Sequence, residues 1–187
     1  MIEIEEKGAS LRSTLKAMRE ELGAEVFSKV LNALPPGDFR EAAIAGRVLA
    51  ASWYPIRVHR ELYAAIAKVA PNERGIPRRI SVRSAEDDMR GIYAYVARLL
   101  RAETLAGIAP RVLSTYFRGP IITIEHVEQG EASLRFMGFH GFDADLWEGT
   151  VSGCETIMRM AGHRNVRCER MPLSRPEDSL VRLTWAV

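Results

Sequence analysis

The sequence predicts an α+β fold in which amino-terminal helices pack on a four-stranded antiparallel sheet of ββαββ order. Three observations predict it. Apolar residues recur at helical spacing over the first two thirds of the chain, two stretches within residues 121–137 alternate with a two-residue period, and a long amphipathic helix separates that pair from two further strands. A chain of 187 residues suits one hydrophobic core, so a single domain over 1–187 is expected, helical over about 1–118 and sheet-forming over about 119–187.

The helices come first. Leu11, Leu15, Met18 and Leu22 mark one face of a helix beginning near Ser10. Val26, Phe27, Val30, Leu31 and Leu34 continue the stripe after Gly23, and Pro35-Pro36-Gly37 ends it because proline cannot donate to a continuing helix. Asp38 with Glu41 three residues on reads as a reciprocal cap for a short helix to about Ala50. Ser52-Trp53-Tyr54-Pro55 reads as the start of another helix, with Pro55 in its first turn and Val58, Leu62, Ile66 and Val69 on its apolar face. After a polar loop over 71–79, Ser84-Ala85-Glu86-Asp87 is expected to cap a helix whose face is Met89, Ile92, Val96 and Leu99, flanked by Tyr93 and Tyr95. One more helix is expected over 103–117, broken by Arg118-Gly119-Pro120.

The sheet follows. A strand over 121–127, a turn at Gln129-Gly130 and a strand over 131–137 make a hairpin with Ala132, Leu134 and Phe136 on one face. Asp143 is suited to cap a helix running to about 161, whose broad apolar stripe includes Leu146, Trp147, Val151, Cys154, Ile157 and Met158, and Gly162 closes it. Val166 and Cys168 begin the third strand. After a loop over 172–179, residues 180–187 make the fourth.

Composition excludes several classes. With 26 basic against 24 acidic side chains there is no general electrostatic case for nucleic-acid binding. No segment approaches the ~18 consecutive apolar residues of a membrane span. The amino terminus is acidic and lacks the basic-then-apolar order of a secretory signal, so the expected compartment is the cytoplasm, with Cys154 and Cys168 free and mostly buried. Two basic clusters stand out: Arg57, His59 and Arg60 on a helix, and Arg74, Arg78, Arg79 and Arg83 around a Gly-Pro loop. The second either grips a phosphate or acidic partner through forked hydrogen bonds or is a solvated loop.

The segments 22–27 (LGAEVF), 51–55 (ASWYP), 88–93 (DMRGIY), 116–119 (YFRG) and 183–185 (LTW) carry a resemblance across nearly the whole chain, with Ser-Trp-Tyr-Pro its most specific part. By these segments the chain resembles a myxobacterial paralogous family of unknown function, within the superfamily of haem-NO-binding sensors, 4-vinyl reductase domains and trafficking-complex subunits. The resemblance implies the fold; function in that family is unassigned. A haem sensor of this superfamily would need an axial histidine on a helix near mid-chain and a Tyr-x-Ser-x-Arg arrangement for the propionates. The stretch 84–117 has no histidine, and 114–118 (STYFR) holds the right residue types in the wrong order. His59 is the only helical candidate, and it reads equally as a surface residue among arginines. The expectation is therefore no cofactor, haem included.

Other chemistry is weaker still. Cys154, His163 and Cys168 match no tight zinc spacing, and a cysteine in a helix's apolar stripe is core before it is nucleophile. Asp87-Asp88 and Asp143 with Asp145 sit where helices are expected to begin and suit the helix dipole. No metal site and no catalytic residue is assigned. Gly138-Phe139-His140-Gly141-Phe142 is either a gate over a pocket or a turn that packs its phenylalanines. Trp53, Tyr54, Tyr116, Phe117 and Trp147 are the aromatics expected near any cavity between helices and sheet, with His140 at its rim and Arg118 as counter-charge for an anionic ligand. The function expected is a non-enzymatic sensory or regulatory domain that binds a small or lipid-like ligand there and signals to a partner. The alternative is a protein-interaction module, homodimeric in one form, whose pocket its own side chains fill.

Overall fold

The computed structural model describes residues 4–89 and 97–187. A short strand β1 (Glu5–Lys7) leads directly into the long helix α1 (Gly8–Ala33), which is kinked at Gly23 (φ 77°, ψ 160°). Then come α2 (Asp38–Ile44), β2 (Trp53–Pro55), α3 (Arg57–Val69), α4 (Ile76–Asp88) and α5 (Ala102–Leu113). The remainder is β3 (Phe117–Arg118), β4 (Ile121–Glu128), β5 (Glu131–Met137), α6 (Ala144–Met160), β6 (Arg167–Pro172) and β7 (Ser179–Thr184).

The expected α+β architecture is present. The main sheet is antiparallel with order β4-β5-β7-β6, so ββαββ connectivity puts β7 rather than β6 beside the first hairpin. β5 is an inner strand with four of its seven residues buried, Leu134 and Phe136 at 0% exposure. Val181, Phe139 and Trp147 join them, and Leu11, Met18, Leu62 and Ile80 extend the same core among the helices. Asp143 caps α6 as expected, its Oδ1 accepting from the Leu146 N–H at 3.0 Å. Gly130 in the hairpin turn (φ 88°) and Gly162 after α6 (φ 97°) take the left-handed conformations their positions require.

Five expectations are corrected. Residues 53–55 do not start a helix: they form β2, paired antiparallel to β1 with Glu5 opposite Pro55 and Lys7 opposite Trp53. β2 is the edge of a second, three-stranded sheet of order β2-β1-β3, where Pro55 has no donor to waste. Its strands of two or three residues are too short to print a two-residue period. The Asp38–Glu41 reciprocal cap is absent, since Gly37 takes the N-cap position without a side-chain bond; both acids lie in the first turn of α2, which ends at Ile44. Residues 84–87 lie in the last part of α4 instead of capping a later helix, because Gly75 (φ 62°) and Pro77 start the helix earlier. Consequently the Arg78, Arg79 and Arg83 cluster is helical and paired, Arg79 with Glu73 and Glu21, Arg83 with Glu20 and Arg78 with Glu155. The last expected helix is shorter than 103–117, because Phe117 leaves it to pair with Glu6 in β3. Of the expected 89–99 face, Ile92, Tyr93, Tyr95 and Val96 lie outside the described residues.

Candidate functional site

A cavity of about 150 Å³ lies between α1, α3, α4 and α6, and Leu113, Tyr116, Phe117 and Phe142 also line it. The close approach of α4 and α6 shapes its wall. α6 offers Gly149 and Gly153 to Ser81 of α4, whose hydroxyl donates to the Gly149 carbonyl; a Cβ on Gly153 would lie 3.2 Å from the Ser81 Oγ. Small residues at these points let the two backbones come together, as in other close helix pairs.

The polar feature of the wall is a buried pair. Glu6, 2% exposed, reaches it from β1, and His59, 9% exposed, from α3. Glu6 Oε1 accepts from the Ser10 hydroxyl at 2.6 Å, and Glu6 Oε2 lies 2.8 Å from His59 Nδ1. His59 Nε2 is buried and has no hydrogen-bond partner among the described residues. The Tyr63 ring stands 4.8 Å from the imidazole, and burial, with the Glu6 charge second, holds its phenol well above the ordinary range. Asp88 accepts from the Ser13 hydroxyl at 2.7 Å, yet burial dominates and raises its carboxyl. Burial likewise pushes the Cys154 thiol up to about 11. A protonated thiol there is a wall atom, not a nucleophile.

His59 is thus corrected from a surface residue in a basic cluster to a buried one. Of the residues chosen from sequence, Tyr116 and Phe117 line the cavity. The other five lie elsewhere. Trp53 faces outward in β2, with the Arg118 guanidinium 4.3 Å and the Lys7 Nζ 4.4 Å from its ring centre. Arg118 also pairs with Glu5 at 3.1 Å. Tyr54 lines a separate cleft of about 650 Å³ between α2 and α3, and its hydroxyl accepts from the Leu49 N–H. His140 sits on the surface 3.9 Å from Glu177. Its loop is a packed turn: Phe139 is fully buried, its N–H donates to the Glu177 carbonyl, and Gly138 N–H donates to Asp178. Trp147 belongs to an aromatic cluster with Phe136, Phe139 and Phe142, under the Arg170 guanidinium at 4.5 Å.

No family model and no curated protein matches the chain. Solved structures do. An H-NOX protein of T. tengcongensis aligns with TM-score 0.73 at 12% identity, covering 97% of this chain and 98% of its own. The Fe(II) unliganded H-NOX protein from K. algicida gives 0.66 at 11%, covering 97% of both. The oxygen complex of an oxygen-binding H-NOX domain related to soluble guanylate cyclases gives 0.68 at 11%, covering 97% and 95%. The fold is that of the H-NOX domains. The fold agrees with the one expected from the resemblance, and the expectation of no cofactor, haem included, is contradicted, because these structural neighbours include one from work on heme distortion in the H-NOX family.

A heme needs an axial ligand and room. His59 has the donor chemistry: its Nδ1 is held by a carboxylate and its Nε2 is unspent, the arrangement that orients metal-binding imidazoles. The space has a different scale. About 150 Å³ is the size of an engineered cavity that takes benzene, and no Lys or Arg side chain lines it among the described residues. Over the described residues the space is ring-sized and offers no cation to a carboxylate-bearing macrocycle.

Proposed function

We propose that the chain is a non-enzymatic sensory domain that binds a small ligand in the cavity between helices and sheet and passes its occupancy to a partner. The observation that carries this reading is the cavity itself, a mainly apolar space of about 150 Å³ with the His59 imidazole among its lining residues. A space of this size suits a ring-sized ligand. A ligand seated there touches both α4 and α6, so occupancy bears on the separation of two helices that pack backbone to backbone. The H-NOX fold supports the reading by analogy only. Membership in the myxobacterial paralogous family, on the segments around Ser52–Pro55, and organisation as a single domain belong to the same proposal.

A second reading, a protein-interaction module, is favoured by one surface. Ile121 and Ile124 are exposed on the edge strand β4, and Ile108 and Val112 are exposed on α5, which packs against β4. An open strand edge with apolar neighbours invites a partner. Native mass spectrometry of the purified protein beside its absorption spectrum tests both. Additional non-protein mass or a visible band supports the sensor; a bare chain without a chromophore, and above all a doubled mass, supports the interaction module.

A further inference from the structure

We propose that the cleft between α2 and α3 is a second binding site, for an organic carboxylate with an aromatic or aliphatic body, and that Arg40 and Arg47 hold its charged end. At about 650 Å³ the cleft falls in the size range of small-molecule sites, and it shares no lining residue with the cavity between α4 and α6. The two spaces are separate, so the cleft can bind a ligand whether or not the cavity does.

The charges of the lining decide the sign of the ligand. Arg40, Arg47 and Arg57 line the cleft together with Asp38 and Glu61. Asp38 lies in the first turn of α2, where the helix dipole favours a negative charge, and Glu61 stands one turn after Arg57 on the same face of α3. Arg40 and Arg47 are left over. Neither side chain has a hydrogen bond, ion pair or ring contact among the described residues, although Arg40 is half-buried. A guanidinium carries five donors, no acceptor and a permanent charge, so a partly desolvated one without an anion favours an occupant that brings one. A carboxylate matches its fork. The rest of the wall suits an apolar body. Phe39 and Tyr54 meet edge to face with ring centres 5.7 Å apart, and the Leu49 N–H fixes the Tyr54 hydroxyl at 3.0 Å, so this part of the wall is rigid beforehand. Leu49, also of the wall, leaves 63% of its surface uncovered.

Naphthoate and the matching naphthamide test this, since they share a body and differ in charge. Each is titrated into the full chain by calorimetry, and backbone amide shifts locate the bound molecule. Naphthoate is expected to bind about tenfold tighter than the amide. It should shift amides of α2 and α3, and the preference should disappear in the Arg40→Gln, Arg47→Gln double variant while naphthamide binds as before. The Arg164→Gln, Arg167→Gln double variant removes the same charge from exposed positions outside the cleft and should keep the preference. The wild-type titration and its shift map stand even if the first variant does not fold. Equal binding of the two probes overturns the carboxylate role. A preference that survives loss of Arg40 and Arg47, or shifts confined to residues outside the cleft, overturns the site. Binding of neither probe overturns both, and leaves the cavity between α4 and α6 to its own test.

Discussion

A carboxylate and an imidazole, 53 residues apart in sequence, face each other at 2.8 Å inside this protein. Removing one partner strands the other, so His59→Ala is expected to cost about 3 kcal/mol in urea unfolding, and a Glu6→Gln, His59→Ala double variant to recover part of the loss. Asp88 behaves oppositely. Burial raises its carboxyl, so the charged form is penalised in the folded state. Stability is fully present below the ordinary carboxylate value and falls as pH rises through the raised one. Asp88→Asn should therefore raise Tm at pH 7, and the gain should vanish at acidic pH. Cys154 follows the same sign at the alkaline end: alkylation by iodoacetamide should be slow at pH 8 and accelerate toward about 11. His59 was hidden in the sequence by its neighbours Arg57 and Arg60, although its spacing to Leu62, Tyr63 and Ile66 is the buried helical stripe. Glu6 was hidden by the acidic run, although it alternates with buried Ile4 as one face of a strand must.

At the level of elements, two contacts set the local geometry. Gly8 joins β1 to α1 where a Cβ would lie 2.0 Å from the Leu49 carbonyl oxygen and 2.8 Å from Tyr54 Cε2. Gly8→Ala is expected to cost at least about 2 kcal/mol, read as a lowered urea midpoint. Asp143→Ala removes the α6 cap and should cost about 1 kcal/mol by the same measurement. β4 to β7 were legible because strands of six to eight residues display their alternation, and α6 because its cap, stripe and closing glycine agree. The three-stranded sheet was not legible, since tertiary pairing and not local pattern makes β1, β2 and β3. α4 was misread because its exposed face is arginine-rich. Those arginines serve as ties to glutamates on α1 and α6 as well as within their own segment, and tertiary position alone reveals it.

On the scale of the whole molecule, architecture came through the sequence far better than chemistry did. Periodicity is a property of segments, whereas the cavity draws on β1, α1, α3, α4, α5 and α6, whose side chains meet only after folding. The H-NOX likeness carries the same lesson, since the histidine sought on one helix was weighed by its place in the chain and not by its surroundings. Ligand occupancy should slow amide exchange along α4 and α6 together, measured by hydrogen–deuterium exchange with and without benzene as a probe; protection confined to one helix would argue against a shared wall. The small sheet has a further consequence for how the chain is made. β1 is clasped between β2 and β3, and Glu5 meets Arg118 across 113 positions. So long a closure is slow and entropically demanding. During synthesis β1 must wait, with one edge unpaired, until residue 118 has left the ribosome. The walls contributed by α6 arrive later still, so the cavity of a nascent chain cannot hold a ligand until residue 160 has emerged.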